Sequence, residues 1–461
     1  MRIIHLIGGA LSILLLVPGC MVGPKYVYEP PPLDSTYAEP VNADTGALIK
    51  WAQLYDDPAL VKLIQATLDS NRTMWLAAAR VEEARLLAGA VKTNLYPSVN
   101  YSLVGGGGGA GIDAQRNGSG VDGGFLEALG QVNWEIDIWG KLRHANRAAL
   151  AIYLEQEENY KALQVSLVAE VASTYFLLRD LDNRLLIAQR TLVSRQENTR
   201  IIGQRFDEGY TNEVDKLQSI QQEQQAAAAI PNIERQIRQV ENALRVLQGR
   251  SSGTIERGRP NTEQQLTPDI IPMGLPSTLL QRRPDIQAAE ANVQALTERA
   301  GVAVANRFPT LSLTGVLGFA SPEMASLFTA DGGMANGFGQ LAGPLFNFGR
   351  NKKIAEAAKQ RIVIAAAQRD QVVFQAFTDV DNSLEYYRTY TAENAARVTQ
   401  MEAARKALTL SQARYDYGYT SYLEVILMEN ALFEAELEES ATRAQRLNST
   451  VSLFRALGGG W

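Results

Sequence analysis

The sequence has very few of the residues on which most enzyme chemistry depends. Its 461 residues include one cysteine, Cys20, and two histidines, His5 and His144. A single cysteine excludes an intrachain disulfide and a thiolate-based zinc site. So little imidazole also disfavours multi-histidine metal sites and most Ser-His or Cys-His catalysis. We therefore expect neither an enzyme nor a metal site.

Long hydrophobic runs and an excess of positive charge are missing as well. Beyond the N-terminus no segment has 18 consecutive apolar residues, so we expect no further transmembrane helix. The chain carries 44 Lys and Arg against 50 Asp and Glu, a net charge of −6. This balance argues against a general nucleic-acid-binding protein.

The N-terminus has the pattern of a removable targeting segment. Residues 3–17 are largely apolar but too few to span a bilayer, which takes about 20 residues. The run ends in Val17-Pro18-Gly19-Cys20, which resembles a bacterial lipobox. We expect residues 1–19 to be a signal peptide and Cys20 to carry N-palmitoyl and S-diacylglycerol groups, with no other cofactor. The alternative is an ordinary signal peptide followed by a chance cysteine.

The chain contains an internal duplication. Residues 205–211 recur as 414–420, 209 residues later, and the match continues without a gap to Gly249 and Gly458. An earlier proline motif, 96–99, recurs as 308–311 at an offset of 212. Such landmarks in one order indicate a tandem duplication. The predicted domains are a signal peptide (1–19), a lipidated extended segment (20–57), a first repeat (58–250), a linker (251–281) and a second repeat (282–461).

Each repeat predicts one helix before the strands and two long helices after them. Asp57-Pro58 opens the first helix, with Asp as N-cap, and Pro284 has the same role in the second repeat. The intervals Gly140–Gly209 and Gly349–Gly418 contain no proline. In the first, apolar residues step by three or four, which predicts a helix of about 65 residues and roughly 100 Å. A return helix of about 40 residues follows each of these glycines.

Alternating apolar and polar residues predict two strands in each repeat. In the first repeat the apolar positions are Val99, Tyr101 and Leu103, and then Val132, Trp134, Ile136 and Ile138; in the second they are Leu311, Leu313 and Leu317, with a weaker strand at about Phe338–Phe348. The glycine tract Gly105–Gly109 predicts a flexible loop between the strands. Strands of about 10 residues with one apolar face suit a lipid-facing barrel with a wet lumen. A soluble sandwich hairpin is the alternative.

Four strands cannot close a membrane barrel on their own. An open sheet in lipid leaves unpaired edge groups, each costing several kcal/mol, and the smallest common closed barrel has eight strands. Closure therefore requires several copies in cyclic symmetry. Three copies give twelve strands and two give eight, and this argument does not by itself choose between them.

Three motifs resemble the outer membrane factor family, outer-membrane efflux proteins of the TolC type, in its NodT-like lipoprotein branch that works with RND pumps. They are Cys20–Tyr26 (CMVGPKY), Trp51–Leu60 (WAQLYDDPAL) and, most specifically, Gly274–Ile286 (GLPSTLLQRRPDI), which continues to Phe308-Pro309. The last motif lies between the two repeats. The resemblance covers nearly the whole mature chain.

The resemblance implies a mixed membrane protein of the cell outer membrane, lipid-anchored and extending into the periplasm. Its fold is a trimeric 12-stranded outer-membrane β-barrel, four strands per chain, continuing into a long periplasmic α-helical barrel. The implied partners are two further copies, a periplasmic membrane-fusion adaptor, an inner-membrane RND pump and outer-membrane lipid, without nucleic acid. The implied function is passive conduction of small molecules in efflux. A type I secretion duct for polypeptides and a lipid-tethered periplasmic coiled-coil scaffold are the alternatives.

The resemblance also places the periplasmic tip and gate at the two helix-to-helix turns. The candidate residues are Arg205, Gly209, Asp215, Arg414, Tyr415, Gly418 and Glu424. The glycines permit tight turns, and in a trimer Asp215 and Glu424 would form acidic rings around the mouth. Arg205, Arg414 and Tyr415 would hold the tip closed. Glu424 stands where Asp is usual, which leaves the cation preference open, and solvated charges near a turn are the alternative.

Overall fold

A computed structural model describes residues 20–28, 55–108, 123–264 and 280–459. The expected signal peptide, Gly109 and the motif residues Gly274–Leu279 lie outside the described residues. The chain divides into two compact units. The sheet unit contains residues 80–156 and 288–369 together with the N-terminal segment, and the helical unit contains 157–287, 370–461 and the segment 31–79.

The long helices confirm the helical prediction. They are α3 (Lys141–Asp207) and α6 (Arg350–Asp416), each of 67 residues. Their return helices are α4 (Glu213–Leu247) and α7 (Tyr422–Ala456), each of 35 residues. In the described part of the chain, none of the helices is long and apolar enough to cross a membrane.

The single helix predicted before the first strand is wrong, because the chain forms two helices there. They are α1 (Pro58–Ser70) and α2 (Arg72–Thr93). Asn71 leaves the helical conformation between them, and its side-chain oxygen accepts hydrogen bonds from the Thr73 and Met74 amides, which starts α2. At the other end, Asp57 is the predicted N-cap: its Oδ1 accepts from the Ala59 amide at 2.9 Å.

The second repeat is interrupted at the equivalent place. Residues 280–282 are helical, and α5 (Pro284–Ala305) begins after Arg283. The Asn71 side-chain amide donates to the Leu247 carbonyl at 2.8 Å, and Arg283 donates to the Ala456 carbonyl at 3.0 Å. Leu247 and Ala456 are the last residues of the return helices. Both repeats therefore use the interruption to satisfy a carbonyl at the end of a return helix.

Four antiparallel strands form one sheet in the order β1-β2-β3-β4. They are β1 (Ser98–Gly108), β2 (Gly123–Ile136), β3 (Thr310–Ser321) and β4 (Gly333–Ala342). The two hairpins keep the same register. Ser98 faces Asn133, and the repeat-equivalent residues Thr310 and Ala342 face each other.

Two strand predictions are wrong in detail. The fourth strand ends at Ala342 instead of Phe348, because Gly343 and Pro344 follow and proline has no amide for the ladder. Gly105 to Gly108 belong to β1 and not to a loop. A Cβ on Gly106 would lie 2.6 Å from the Phe125 ring, so the glycines make room for side chains of β2.

The helical unit has a large apolar core. It joins α1, α3, α4, α6 and α7 around residues such as Leu60, Tyr175, Leu244 and Leu453. Residues 251–264 of the predicted linker have no helix or strand but pack into this unit. Gln264 donates to the buried Asp57 carboxylate at 2.7 Å.

Candidate functional site

The first tip joins α3 to α4 through a left-handed glycine. Gly209 has φ +79°, a conformation that costs other residues strain. The Gly209 amide donates to the Phe206 carbonyl at 3.0 Å and the Tyr210 amide donates to the Arg205 carbonyl at 2.7 Å. These bonds satisfy carbonyls at the end of α3, as in a Schellman motif.

The return helix of the first tip has a side-chain cap. Asn212 accepts a hydrogen bond from the Asp215 amide at 2.9 Å. The Asp215 carboxylate accepts from the Thr211 hydroxyl at 2.6 Å. Asp215 lies in the first turn of α4, where the helix dipole favours negative charge. This carboxylate therefore has a local role in addition to its predicted place at the mouth.

The second tip repeats the backbone turn but not the cap. Gly418 has φ +76°, and the Tyr419 amide donates to the Arg414 carbonyl at 2.8 Å. Ser421 is the N-cap of α7 but makes no side-chain capping bond. Glu424 accepts from the Thr420 hydroxyl and forms an ion pair with Arg414, whose Nη1 lies 3.4 Å from its Oε1. The structure thus brings two predicted residues, Arg414 and Glu424, into contact.

Arg205 of the first hairpin crosses to the second. Its Nη2 lies 3.2 Å from Asp416 Oδ1, and its guanidinium lies 5.1 Å from the centre of the Tyr415 ring. The hydrogen bond to Tyr415 raises the pKa of Arg205 above its usual value. Arg205 and Tyr415 were both predicted, whereas Asp416 was missed. Its signal was its position, two residues before the turn glycine in each repeat.

A small apolar cluster supports the tips from within. Ile202 of α3 packs with Tyr422, Val425 and Ile426 of α7, and Tyr415 packs against this cluster. At the turns themselves the aromatic side chains Tyr210, Tyr417 and Tyr419 are exposed. The helices next to the turns are therefore held together by apolar packing, and the turns themselves carry exposed aromatic side chains.

A buried polar network lies just behind this cluster, and sequence reasoning missed it. Arg195 is 2% exposed; it donates to the Gln222 carbonyl at 2.8 Å and to Asn430 Oδ1 at 2.7 Å. Glu429 is also buried and accepts from Asn198. Burial lowers the pKa of Arg195 and raises the pKa of Glu429. The sequence feature that could have indicated this network is the position of Arg195, three residues after Leu192, where the three-or-four-residue spacing of apolar side chains along α3 would place another apolar residue.

The N-terminal segment lies against the sheet unit. Cys20, the predicted lipid-attachment residue, is exposed. Two residues further on, the Val22 amide donates to the Trp139 carbonyl at 3.1 Å. The buried His144 has one ring nitrogen 3.2 Å from the Val22 carbonyl and the other 2.5 Å from Glu298. The contacts of His144 are thus with the N-terminal segment and α5.

The predicted site residues form two sets. Arg205 and Tyr415 meet across the hairpins, and Arg414 and Glu424 meet within the second hairpin. Asp215 is tied to its own turn, and Gly209 and Gly418 shape the turns. Over the described ranges, no three or more His, Cys, Asp or Glu side chains are grouped to hold a metal ion.

Comparison with known proteins gives consistent results over nearly the whole chain. Residues 63–250 and 275–459 match the family model described as outer membrane efflux protein. The solvent efflux pump outer membrane protein SrpC of Pseudomonas putida is 30% identical over 97% of each chain. A Salmonella typhimurium relative named "Probable outer membrane lipoprotein SilC" is 30% identical over 98% of each chain.

A solved structure shares the fold. The open-state MtrE outer membrane channel of Neisseria gonorrhoeae is 27% identical and superposes with a TM-score of 0.88, covering 96% of this chain and 98% of that one. These similar proteins are channels and pump components rather than enzymes.

Proposed function

The chain belongs to the outer membrane efflux protein family, and from that premise we propose that three copies form the outer-membrane channel of a tripartite efflux system. The resemblance found in the sequence motifs is confirmed, and so is the outer-membrane location that it implied. The channel conducts small molecules passively from an inner-membrane RND pump and a periplasmic adaptor to the exterior.

The open sheet is the observation that carries the proposal. Strands β1 and β4 are the two edges of a four-stranded sheet whose outward side chains include exposed Val99, Tyr101, Leu103 and Leu341. Unpaired edges are not tolerated in lipid. Cyclic association of copies removes them, and a twelve-stranded closure leaves room for a lumen.

The helical hairpins support the conduit part of the proposal. A pair of 67-residue helices with 35-residue return helices is far longer than a core needs. Their tips present charge and exposed aromatic residues, which suit a periplasmic mouth that meets an adaptor. The relative SrpC is named as the outer membrane protein of a solvent efflux pump, which favours small molecules over polypeptides as cargo.

Cys20 is the proposed attachment point of the lipid anchor, with N-palmitoyl and S-diacylglycerol groups. Its exposure and the lipoprotein name of one relative support this assignment. We expect Cys20→Ser to leave the sheet assembled and to weaken membrane retention. Mass spectrometry of the mature N-terminus tests it directly, and an unmodified Cys20 in the outer membrane contradicts it.

The decisive experiment combines electrophysiology with transport. The full chain is purified from outer membranes, its migration is compared with and without heating, and it is then added to planar bilayers. We expect a heat-dissociable trimer with a conductance that rises when Asp215 and Glu424 are changed to Asn and Gln. The chain is also expressed with its cognate pump in a strain lacking its own efflux channel, and dye accumulation is measured. A stable monomer without conductance contradicts the proposal and supports a tethered scaffold; export of a polypeptide instead of the dye supports a secretion duct.

A further inference from the structure

The internal repeat extends to the register of the strand pairs. The offsets of 212 and 209 residues that relate the repeats carry the β1–β2 register onto the β3–β4 register without a shift, as the pairs Ser98–Asn133 and Thr310–Ala342 show. The repeats therefore agree at the level of individual residue pairs. Any pairing made by one repeat has a defined counterpart in the other.

The junction between the repeats is the pairing of β2 with β3. Leu129 faces Gly318 and Val132 faces Gly315 in this ladder. Below the ladder, Trp139 stacks on Phe308, with 4.8 Å between ring centres and 24° between planes. The Trp139 indole also donates to the Pro309 carbonyl at 2.8 Å.

The counterpart of this junction is missing within the chain. The residues equivalent to Trp139 and Phe308 are Phe348 and Tyr96, and both are exposed, Phe348 at 92% and Tyr96 at 61%. Phe348 is also the non-glycine residue with a positive φ, +52°, among the described residues. A bulky residue is rarely held in this conformation without a reason in the surroundings. In the chain on its own, the Phe348 ring contacts Phe346.

We propose that β4 of one copy pairs with β1 of the next in the register that the β2–β3 junction dictates, and that Phe348 stacks on Tyr96 of the next copy. In this register Leu341 faces Leu103, and Ala342 faces Ser102. The inference rests on the proposed homotrimer and adds the residue-level geometry of its subunit seam.

This register explains the glycines on both edges. It sets Gly337 opposite Gly107 and Gly339 opposite Gly105, while Phe338 lies opposite Gly106. Within the chain Gly106 already faces Phe125, whose ring occupies the space of a Cβ. The glycine tract of β1 therefore receives an aromatic ring from each side, and a slip of one residue would turn every side chain of β4 to the wrong face.

Disulfide cross-linking tests the register. Within one chain, β1 and β4 are separated by β2 and β3, about 14 Å at the usual strand spacing, beyond the reach of a disulfide at about 7 Å. A bond between them therefore joins two copies. We expect the double variant Leu341→Cys with Leu103→Cys to give a covalent trimer on non-reducing gels after boiling. The matched control, Leu341→Cys with Tyr101→Cys, is offset by two residues on the same face, and we expect it to give none, as we expect of each single variant.

The outcomes separate this inference from the proposed function. An intact native trimer that cross-links in the control pair, or in neither pair, overturns the register and leaves the channel in place. Absence of any native trimer in mass spectrometry overturns the proposed function itself. A cross-link from Leu341→Cys to a different protein also overturns the seam.

The aromatic contact has its own test, the temperature at which the trimer dissociates in detergent. We expect Phe348→Ala and Tyr96→Ala to lower it by several degrees each and the double variant to lower it no further than either alone, because the two rings share one contact. Phe346→Ala is the control for loss of an exposed ring, and we expect a smaller shift. Phe348→Trp, which installs the residue of the first repeat, should preserve the dissociation temperature. Equal shifts for Phe346→Ala and Phe348→Ala, or additive shifts in the double variant, overturn the contact.

Discussion

The two hairpin tips have similar sequences, but the aspartate before each turn glycine lies near a different cation. Each places an aromatic residue and an aspartate just before the turn glycine. In the first tip Lys216 serves both: its Nζ lies 3.7 Å from Asp207 and 4.5 Å from the centre of the Phe206 ring. The equivalents of these two residues in the second tip are Asp416 and Tyr415, and both contact Arg205 of the other hairpin.

One difference between the repeats bears directly on these contacts. Val425 stands where the first repeat has Lys216, and it is buried against Ile202 and Tyr422. The second tip thus gains an apolar contact and lacks the lysine that contacts Asp207 and Phe206 in the first. The cation is supplied by Arg205 instead, so the two hairpins become coupled. Through Arg205 the two hairpins are in direct contact.

One pair of buried charges is also asymmetric between the repeats. Glu429 and Arg195 are buried on α7 and α3, whereas their repeat equivalents are Ile220 and Ala404. The polar network joins α3 to both return helices, through Gln222 and Asn430, and its two charges have no charged counterpart at the equivalent positions of the other repeat. The predictions that follow test whether the second tip depends on contacts between hairpins while the first depends on local contacts.

The largest effect is expected at the buried arginine. Arg195→Met removes the donors to Gln222 and Asn430 and leaves Glu429 buried without its nearby cation, which should cost about 3 kcal/mol or more of unfolding free energy. Thermal denaturation of the purified protein measures it. Arg200→Met, which breaks an exposed pair with Glu197, is the control and should cost less than about 1 kcal/mol. Similar losses in both variants would contradict the claim that the buried network stabilises the fold more than an exposed ion pair does.

The turn glycines come next. Gly418→Ala forces a Cβ into a left-handed conformation and should cost about 1–2 kcal/mol. Gly203 is the control: it lies inside α3, and a Cβ there has no atom within 4 Å. Gly203→Ala should therefore stabilise the chain, by about 0.5–1 kcal/mol. If both variants shift the melting temperature in the same direction, the turn does not depend on its glycine.

Capping gives the sharpest contrast between the tips. Asn212→Ala removes a side-chain cap and should cost about 1 kcal/mol. Ser421→Ala, at the equivalent position, removes no capping bond and should cost a few tenths of that. Hydrogen exchange of the first turns of α4 and α7 measures each loss locally. Equal losses would contradict the difference in capping.

The crossing contact should matter more for the gate than for stability. Asp416→Asn breaks an exposed pair and should cost about 0.2–1 kcal/mol, yet it should raise the resting conductance because it uncouples the hairpins. Asp207→Asn removes only a contact within the first hairpin and should leave the conductance unchanged. The same conductance change in both variants would show that coupling between hairpins does not hold the tip closed.

The last prediction concerns Glu429→Gln, which should change how the stability of the protein depends on pH. Because burial raises the pKa of Glu429, the folded state binds a proton more readily than the unfolded state. This group therefore adds stability as the pH falls, and that stability is lost as the pH rises through the raised pKa. As the pH rises above the usual pKa range of a carboxyl group, the melting temperature of the variant should fall less steeply than that of the unchanged protein. An unchanged slope would contradict the assignment.

Local rules were sufficient for the long elements but not for their interruptions. The proline-free intervals between paired glycines predicted both 67-residue helices, because periodic apolar residues and a missing proline leave few alternatives. The break at Asn71 was missed because asparagine in a helical pattern looks tolerable. Only the nearby end of α4, whose Leu247 carbonyl accepts from Asn71, makes the interruption favourable. The glycine tract of β1 was missed for a related reason: without side chains it shows no alternation.

The candidate site divides in the same way. The positions of Arg205, Arg414, Tyr415, Asp215, Glu424 and the two glycines follow from the repeated motif. The contact between the hairpins does not, because contacts of α3 with α6 and α7 join residues more than 200 positions apart. Arg205 and Asp416 are such a pair, and so are Arg195 and Asn430.

The sequence by itself determined the duplication, the long helices, the turns and the family, because each of these can be recognised from the spacing and type of residues along the chain. Tertiary structure alone decided which cation serves which carboxylate, where the helices break and where buried charge is tolerated. The physical reason is that helix and turn formation depend on neighbours along the chain. Pairing of charges and filling of space depend on which surfaces meet, as the different partners of Asp207 and Asp416 show.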